Sequence, residues 1–231
     1  MTLKPLIPLL LAAAVPAAFA QGDREAVHTF QVDLDAQGRV TSIDPVDAIP
    51  DATRAALQAH IANWRFEPRD GATQATRTYL RVATAGESSA TSTPRIISAS
   101  TGPAMTHLTQ PVYPTSELRR GEGGVVVLEI AVGADGRVHD VGFHGDRQQA
   151  TRSMAQAARD AALAWQFTPE QVDGQPVAST VVVPVCFMAV NPDPYSCTWQ
   201  GPEARNLSRY AVVNLDPVVR VDIPSQQIAG F

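Results

Sequence analysis

Apolar and polar residues alternate along two separate stretches of the chain. In FQVDLDAQGRV, residues 30–40, and in LEIAVGADGRV, residues 128–138, the apolar residues occupy matching alternate positions before a shared Gly-Arg-Val ending. A period of two predicts a β-strand with one buried face. The glycine of each ending, Gly38 or Gly136, suits a tight turn that requires a positive φ. Each stretch therefore predicts a strand, a hairpin turn and the start of a second strand.

A helical pattern follows each pair of strands. Residues 51–64 and residues 151–165 carry apolar side chains at the three- and four-residue spacing of an amphipathic helix. Both patterns run into a similar phrase, WRFEP at residues 64–68 and WQFTP at residues 165–169, whose proline cannot continue a helix. Large aromatic residues at such a junction are usually core. We therefore expect Trp and Phe of both phrases to pack a helix end onto a sheet, rather than to take part in catalysis.

A third strand is predicted after each phrase, at residues 76–82 and at residues 179–185, beyond a loop that contains a glycine. The order strand, strand, helix, strand therefore occurs twice. It predicts an α+β fold of two β-β-α-β units, in which each helix packs on a small antiparallel sheet. The predicted divisions of the chain are a signal peptide at 1–20, a first unit at 21–83, a linker at 84–106, a second unit at 107–187 and a tail at 188–231.

The composition of the two segments outside the units supports these divisions. The stretch between the units, residues 83–102, is rich in Ser, Thr, Ala and Gly and is typical of a linker with little core of its own. The tail carries two short β-prone runs on either side of Asp216-Pro217. The domain boundary is therefore placed in the first of these segments.

The N-terminal residues have the features of a secretory signal peptide. Lys4 supplies a positive start, an apolar stretch follows, and Ala18-Phe19-Ala20 forms a cleavage site before Gln21. The alternative is a transmembrane anchor, for which the apolar run at residues 6–20 is short and is interrupted by proline. We therefore expect a chain exported to the periplasm, with its signal peptide cleaved.

The charge balance argues against nucleic acid and anionic membranes as partners. The formal net charge is −5, and no run of like charges occurs.

Cys186 and Cys197 are the only cysteines. In an exported chain they are expected to form a disulfide. The alternative, a metal site, lacks a CxxC pair or paired histidines nearby.

The residues that could carry chemistry form no recognisable catalytic or metal-binding motif. His139 and His144 lie at an odd spacing, so a straight strand places them on opposite faces, and we expect solvated or partner-facing side chains rather than a metal site. Four carboxylates that could supply an acid/base pair are also expected to be solvated, namely Glu122, Glu129, Glu170 and Asp173. We predict no catalytic residue, cofactor or metal, and keep an enzyme as the third alternative.

Four features occur together in residues 110–187. In chain order they are Tyr113-Pro114 before a short helix, Glu122-Gly123-Gly124-Val125 at a strand start, Asp135-Gly136-Arg137-Val138 in a turn, and WQFTP followed by Gly174. In this combination residues 110–187 resemble the C-terminal domain of the TonB family of periplasmic energy-transducing proteins. The first unit keeps QGRV, WRFEP and Gly71 as a degenerate copy, but it lacks the Tyr-Pro start. The resemblance implies a helix packed on a small antiparallel sheet.

The resemblance also implies a binding function. Domains of this family engage the TonB box, a short extended segment of outer-membrane transporters, largely by strand addition along the last strand of the sheet. An open sheet edge supplies the main-chain donors and acceptors for such pairing. That edge would be residues 179–187, where Pro184 removes one donor. The expected partner-binding residues are Gln110, Pro111, Tyr113, Pro114, Ser179, Val181, Val183 and Val185.

The expected partner is an envelope protein such as a TonB-dependent outer-membrane transporter. The sequence leaves open whether the protein also forms a homodimer. Energy-transducing members of the family have an uncleaved transmembrane helix and a long spacer rich in Pro and Lys, and this sequence departs from both features. We therefore expect a free periplasmic TonB-like module associated with transport across the outer membrane. In the alternative, the tail run at residues 210–215 folds back onto the edge. The protein would then be a closed structural or assembly component of the envelope with no transport role.

Overall fold

The computed structural model of the chain describes residues 26–69, 74–85, 95–145, 150–188 and 212–223. The expected signal peptide and Cys197 lie outside these residues. Within the described ranges, no helix is both long enough and apolar enough to cross a membrane.

Strands predominate over helices in the described part of the chain. In chain order the elements are β1 (Ala26–Leu34), β2 (Val40–Pro45), α1 (Asp51–Ile61), β3 (Arg65–Pro68), β4 (Thr76–Ala85), β5 (Arg95–Gly102), β6 (Ala104–His107), α2 (Thr115–Arg120), β7 (Gly124–Val132), β8 (Val138–Phe143), α3 (Arg152–Ala162), β9 (Gln166–Thr168), β10 (Gln171–Val172), β11 (Gln175–Pro176), β12 (Ser179–Phe187), β13 (Val213–Asn214) and β14 (Val219–Asp222). The fold is α+β, as predicted.

The N-terminal sheet consists of β1, β2, β4 and β5, in the antiparallel order β2-β1-β4-β5. Alternate residues of β1 are buried, because one face of this sheet packs against α1. That core contains Phe30, Val32, Leu57, Ile61, Leu80 and Val82. The short hairpin of β10 and β11 joins the same sheet, since β10 pairs with the first two residues of β4.

The C-terminal sheet has the antiparallel order β8-β7-β12-β13. One face packs against α3 and forms a second core with Leu128, Ile130, Met154, Ala158 and Val181. Thr151 caps α3, because its side-chain oxygen accepts a hydrogen bond from the Met154 backbone N–H at 3.3 Å.

Both sheets show the same pairing registers. Leu34 of β1 lies opposite Thr76 of β4, and Val132 of β7 lies opposite Ser179 of β12. The first hairpin of each sheet also shifts its register immediately before Leu34 and immediately before Val132. Residues that match between the two sequence stretches therefore also occupy equivalent positions in the strand pairing of the two sheets.

The positive φ expected of the turn glycines is confirmed, at +72° for Gly38 and +76° for Gly136. Each turn also lies against the phrase that follows its helix. A Cβ atom on Gly38 would lie 1.9 Å from the carbonyl oxygen of Phe66, and one on Gly136 would lie 2.2 Å from that of Phe167. Glycine is therefore required at both turns by conformation and by space.

The prediction that the repeated phrases are core is confirmed, because Trp64, Phe66, Trp165 and Phe167 are all buried. The phrases are also short strands, which the sequence pattern does not predict. β3, in the first phrase, pairs with β14 of the tail, and β9, in the second phrase, pairs with β6. Each phrase therefore both ends a helix and binds a distant segment of the chain.

The expectation that the stretch between the units is a linker with little core of its own is wrong for part of that stretch. Residues 95–102 form β5, which pairs with β4 along most of its length, and Ile96 and Thr101 are buried. The outer edge of β4 accepts this strand although its sequence has few apolar residues. Main-chain hydrogen bonds need no apolar pattern, so composition alone does not reveal such a strand.

The two β-prone runs expected in the tail are confirmed as β13 and β14. They bind different sheets: β13 pairs with β12 of the C-terminal sheet, and β14 pairs with β3. The Thr101 hydroxyl also donates a hydrogen bond to the Val219 carbonyl at 2.5 Å. The tail therefore links both halves of the protein.

Candidate partner-binding edge

The outer edge of β12 is defined by the residues whose backbone groups point away from β7. The Thr180 N–H donates to Asp216 Oδ1 at 2.7 Å, and the Thr180 carbonyl accepts from the Leu215 N–H at 2.8 Å. In an antiparallel strand both backbone groups of a residue point to one side, and this side alternates along the strand. The outward groups therefore belong to Thr180, Val182, Pro184 and Cys186.

β13 already occupies part of this edge. Val213 and Asn214 pair with Val182 and Val181, and among the described residues β13 extends no further along β12. The alternative in which the tail folds back onto the edge is thus realised for the first half of β12. The edge expected to be open at residues 179–187 is not open at Thr180–Val182.

Four of the expected partner-binding residues lie on β12, and the structure turns them inward. Val181 is fully buried, Val183 is 6% exposed, and both belong to the core beneath α3. Ser179 is also buried, and Val185 packs against the same core. Their alternation with outward-pointing Thr180 places their backbone groups toward β7. Their side chains therefore hold β12 against the core, and charged substitutions at Val181 or Val183 would disrupt that core.

The other expected residues precede α2 and lie beside the end of β12. Tyr113 contacts Phe187 edge to face, with ring centroids 5.4 Å apart, and its hydroxyl donates to the Glu122 carbonyl. Pro114 is the N-cap residue of α2. Gln110 is exposed and Pro111 is half-buried. The structure thus brings this segment and β12 together, although Tyr113 has a clear packing role.

A cavity of about 690 Å³ lies between the N-terminal sheet and this end of β12. Its lining includes Gln110, Val183, Pro184 and Val185, together with Arg81 of β4. We call it the inter-sheet cavity. The sequence analysis does not identify Arg81 as a lining residue, because the sequence marks it only as a single cation within the apolar run of β4.

Glu170 joins three segments of the chain, and the expectation that it is solvated is wrong. Its side chain is fully buried. The Thr78 hydroxyl donates to its Oε1 at 2.6 Å, the Asn214 amide to its Oε2 at 2.9 Å, and the Val218 N–H to its Oε2 at 3.4 Å. Burial raises the pKa of Glu170, and so does the nearby charge of Asp216, whereas the hydrogen bonds from Thr78 and Val218 and the charge of Arg81 lower it. Because the three groups that contact its oxygens are donors, the Glu170 side chain is used as a structural acceptor.

The candidate histidines bind carboxylates, and among the described residues no group of three His, Cys, Asp or Glu side chains could hold a metal ion. His139 Nε2 lies 3.1 Å from Asp135 Oδ1, and His144 Nδ1 lies 2.9 Å from Glu129 Oε2. His139 is exposed, as expected, whereas His144 is mostly buried. Cys186, at the end of β12, is not a free thiol. Because Cys197 lies outside the described residues, its pairing with Cys186 stays a prediction.

Glu117 fixes α2 against the start of α3. The hydroxyls of Ser116, Ser153 and Thr151 donate to its carboxylate, the last at 3.3 Å. The side chain is buried by these contacts. The hydrogen bonds from Ser116 and Ser153 lower the pKa of Glu117 to about 2, from an ordinary value of 4.5.

This lowered pKa predicts an acid-sensitive contribution to folding. The folded-state pKa lies below the unfolded value, so ionised Glu117 stabilises the protein above about pH 4.5, and the contribution is lost as the pH falls toward 2. Between about pH 6 and about pH 3, wild type should lose more unfolding free energy than Glu117→Gln, as measured by urea denaturation. The exposed-site control Glu67→Gln should follow wild type. Parallel pH curves for wild type and Glu117→Gln would contradict the prediction.

These observations define a small α+β domain whose last strand carries, on its outer edge, a short strand from another part of the same chain. Residues 109–188 match the family model described as Gram-negative bacterial TonB protein C-terminal. This stretch is therefore a TonB C-terminal domain, as its motifs predict.

Part of the chain is also similar to curated proteins. A stretch of 91 residues is 36% identical to the Protein TonB of Xanthomonas campestris pv. campestris. This stretch makes up 39% of this chain and 40% of that protein. A stretch of 78 residues is 33% identical to the Protein TonB of Vibrio cholerae serotype O1. This stretch makes up 34% of this chain and 31% of that protein. The match thus spans well under half of these relatives.

Proposed function

We propose that this protein is a TonB-like binding protein of the cell envelope, associated with TonB-dependent transport across the outer membrane. Its C-terminal sheet would bind an extended segment of an envelope protein, such as a TonB-dependent transporter, by strand addition to β12. The observation that carries the proposal is the pairing of β13 with β12. It supports the proposal because this edge accepts an added antiparallel strand from a short segment with few side-chain requirements.

The partner strand would take the place of β13 and continue toward Pro184. Thr180 and Val182 offer both backbone groups to such a strand, whereas Pro184 offers only its carbonyl. Gln110, Pro111, Tyr113 and Pro114 would flank the partner beyond the end of β12. β13 would then act as an internal competitor that the partner must displace.

We further propose export to the periplasm through the signal peptide at residues 1–20, with a disulfide between Cys186 and Cys197. In an oxidising compartment, closing this loop would stabilise the fold by about 2 to 3 kcal/mol. The proposed role is binding, without catalysis or a cofactor. A homodimer formed by exchange of edge strands is compatible with it.

We also infer that the halves of the protein are copies of one unit, with the domain divisions given above. The shared registers and the matching approach of Gly38 to Phe66 and of Gly136 to Phe167 support this inference. With β3 and β9 included, both copies share the order β-β-α-β-β, and the second copy adds the short hairpin of β10 and β11 before its last strand.

The proposed competition predicts that weakening β13 strengthens peptide binding. Asp216→Ala removes the side-chain acceptor of the Thr180 N–H and leaves that donor to the partner. A charge-assisted hydrogen bond contributes about 1.5 kcal/mol or more, so affinity should rise about tenfold. The measurement is calorimetric titration of the full mature chain with a synthetic TonB-box peptide. Asp140→Ala, at an exposed position on β8, is the matched control and should bind like wild type.

The same titration separates the proposal from its rival, a closed structural protein of the envelope. The pairing of β13 and the buried contacts of Glu170 favour that rival, because both hold the tail against the sheets. No detectable binding by wild type or by Asp216→Ala would support the rival. Equal binding by wild type, Asp216→Ala and Asp140→Ala would place the partner away from the β13 position.

A further inference from the structure

The inter-sheet cavity lies beside the second half of β12. Residues 183–186 of this strand line it, and its volume of about 690 Å³ lies within the usual range for ligand pockets. The same residues continue the edge with which β13 pairs at Val181 and Val182. A strand that is added to β12 and continues past Val182 would therefore border the cavity.

Val212 shows which face of an added strand reaches the cavity. β13 pairs Val213 with Val182, and this register, continued by one residue, places Val212 opposite Val183. Both side chains line the cavity and belong to the core beneath α3. Side chains alternate along a strand, so the residue two positions before the one at the place of Val212 would lie opposite Val185 and point to the same side. Val185 lines the cavity too.

The N-terminal sheet contains the same arrangement within its own copy of the unit. Thr76 and Ser179 occupy equivalent positions, so Val82 of β4 corresponds to Val185 of β12. β5 is added to β4 as an antiparallel strand, and Ala99 lies opposite Val82. Ala99 packs against the core beneath α1. In the first unit an added strand thus turns the residue at this position toward the helix side of the sheet.

The lining of the cavity is mostly apolar, and part of it is exposed to solvent. Met105 and buried Trp165 belong to the lining. The mouth of the cavity is formed by Val46, Leu108 and Met188, which line it and are 46%, 52% and 62% exposed. Large apolar side chains grouped at one opening mark a binding surface more often than a random surface position.

The charged residues of the lining do not select a charged ligand. Arg81 is 7% exposed, and its Nη1 and Nη2 donate to the carbonyls of Pro103 at 2.8 Å and Thr101 at 3.3 Å. The negative charge of Glu170 also stabilises its charged form. Asp47 is exposed and therefore solvated. The remaining space favours an uncharged apolar group, because burial of a further charge would be costly.

We propose that the inter-sheet cavity is a specificity pocket for the partner strand, which receives a large apolar side chain from the partner residue opposite Val185. This inference rests on the proposed strand addition to β12 and deepens it, because it names the side chain that the partner must carry. Burial of such a side chain supplies affinity that main-chain pairing alone does not.

The N-terminal unit supplies part of the wall of this pocket. Val27, Thr29 and Val46 line the cavity, and the Val46 N–H donates to the Thr29 carbonyl at 2.9 Å, which holds Val46 in place beyond the end of β2. The TonB C-terminal domain by itself therefore contains only part of the specificity pocket. The first unit acts in binding although the partner strand pairs with the second.

The experiment uses synthetic peptides in which a variable residue X precedes AVVNL, the sequence of residues 211–215. In the register of β13, the first valine of the peptide lies opposite Val183, and X lies opposite Val185. X is Ala, Leu, Phe or Asp, and each peptide carries fluorescein at its C-terminus. The full mature chain with Asp216→Ala, which weakens β13, is titrated into each peptide, and binding is followed by fluorescence anisotropy.

The peptides with Leu or Phe at X should bind at least about tenfold more tightly than the peptide with Ala, because a large apolar side chain is buried. The peptide with Asp should bind no more tightly than the peptide with Ala. This comparison needs no substitution in the pocket, so it holds whether or not variants of the pocket fold.

Val46→Asp tests the contribution of the N-terminal unit. Val46 is largely exposed, so the protein should stay folded, and the charge should weaken binding of the Phe peptide about tenfold and leave binding of the Ala peptide unchanged. Leu163→Asp is the matched control, because it adds the same charge at a residue that is 50% exposed and lies outside the cavity lining. It should bind both peptides as before.

The outcomes distinguish this proposal from the proposed function. Equal affinity for the four peptides would leave strand addition standing and overturn the specificity pocket. Tightest binding of the Asp peptide would overturn the apolar selection. Equal affinity of Val46→Asp and Leu163→Asp for the Phe peptide would overturn the role of the N-terminal unit. If none of the peptides binds, strand addition itself is overturned, and the pocket with it.

Discussion

Replacing Glu170 by alanine is expected to destabilise the folded protein by about 3 kcal/mol, because several buried donors lose their acceptor together. The carboxylate accepts hydrogen bonds from Thr78 in the N-terminal sheet and from Asn214 and Val218 in the tail. Alanine leaves these donors unsatisfied in a buried environment. It also removes the negative charge that stabilises the charged form of buried Arg81.

Urea denaturation followed by tryptophan fluorescence measures this effect. Glu67→Ala is the control, because Glu67 is exposed on β3, and its loss should cost less than about 1 kcal/mol. Glu170→Gln should fall between the two, since the amide keeps the shape and one acceptor oxygen but not the charge. If Glu170→Ala is as stable as Glu67→Ala, the three segments are not held together by this side chain.

Replacing Gly136 by alanine is expected to destabilise the protein by about 3 kcal/mol through two separate effects. Its φ of +76° is unfavourable by about 1 to 2 kcal/mol for a residue with a Cβ. The new Cβ would also lie 2.2 Å from the carbonyl oxygen of Phe167. That carbonyl belongs to backbone in β9, and the Phe167 N–H is bonded to the Gly136 carbonyl at 2.8 Å, so relief requires moving a paired strand.

Gly121→Ala separates the two effects. Gly121 has a φ of +67°, but no atom beyond its two chain neighbours lies within 4 Å of the position that a Cβ would take there, so only the conformational cost of about 1 to 2 kcal/mol should appear. Gly38→Ala should behave like Gly136→Ala, because its Cβ would lie 1.9 Å from the Phe66 carbonyl oxygen. Unfolding free energies from urea titration decide the result. Equal losses at Gly136 and Gly121 would show that the contact with Phe167 relaxes without cost.

Local patterns in the sequence predict the main strands and helices of both sheets well. The alternation around Phe30 and Leu128 indicates β1 and β7, and the spacing around Leu57 and Met154 indicates α1 and α3. These predictions succeed because a strand and a helix repeat at different intervals, and each places its apolar residues on one face. The turn glycines succeed for the same local reason.

The candidate site was predicted only in part, because strand addition depends on which side each residue faces. The family resemblance indicates β12 as the binding edge and includes Val181 and Val183 among the expected partner-binding residues. The side chains of Val181 and Val183 point to the core, and the outward backbone groups belong to Thr180 and its alternate neighbours. Only the position of β13 shows which set faces outward.

The sequence by itself determined the two α+β patterns, the left-handed turns at Gly38 and Gly136 and the TonB-like motifs of residues 110–187. Tertiary structure alone decided that β13 covers half of the β12 edge, that β5 extends the N-terminal sheet, and that Glu170 and Arg81 are buried between the sheets. The physical reason is the range of the interactions. Turns and periodic faces depend on neighbouring residues, whereas strand pairing and the burial of charge depend on segments that are distant in the sequence.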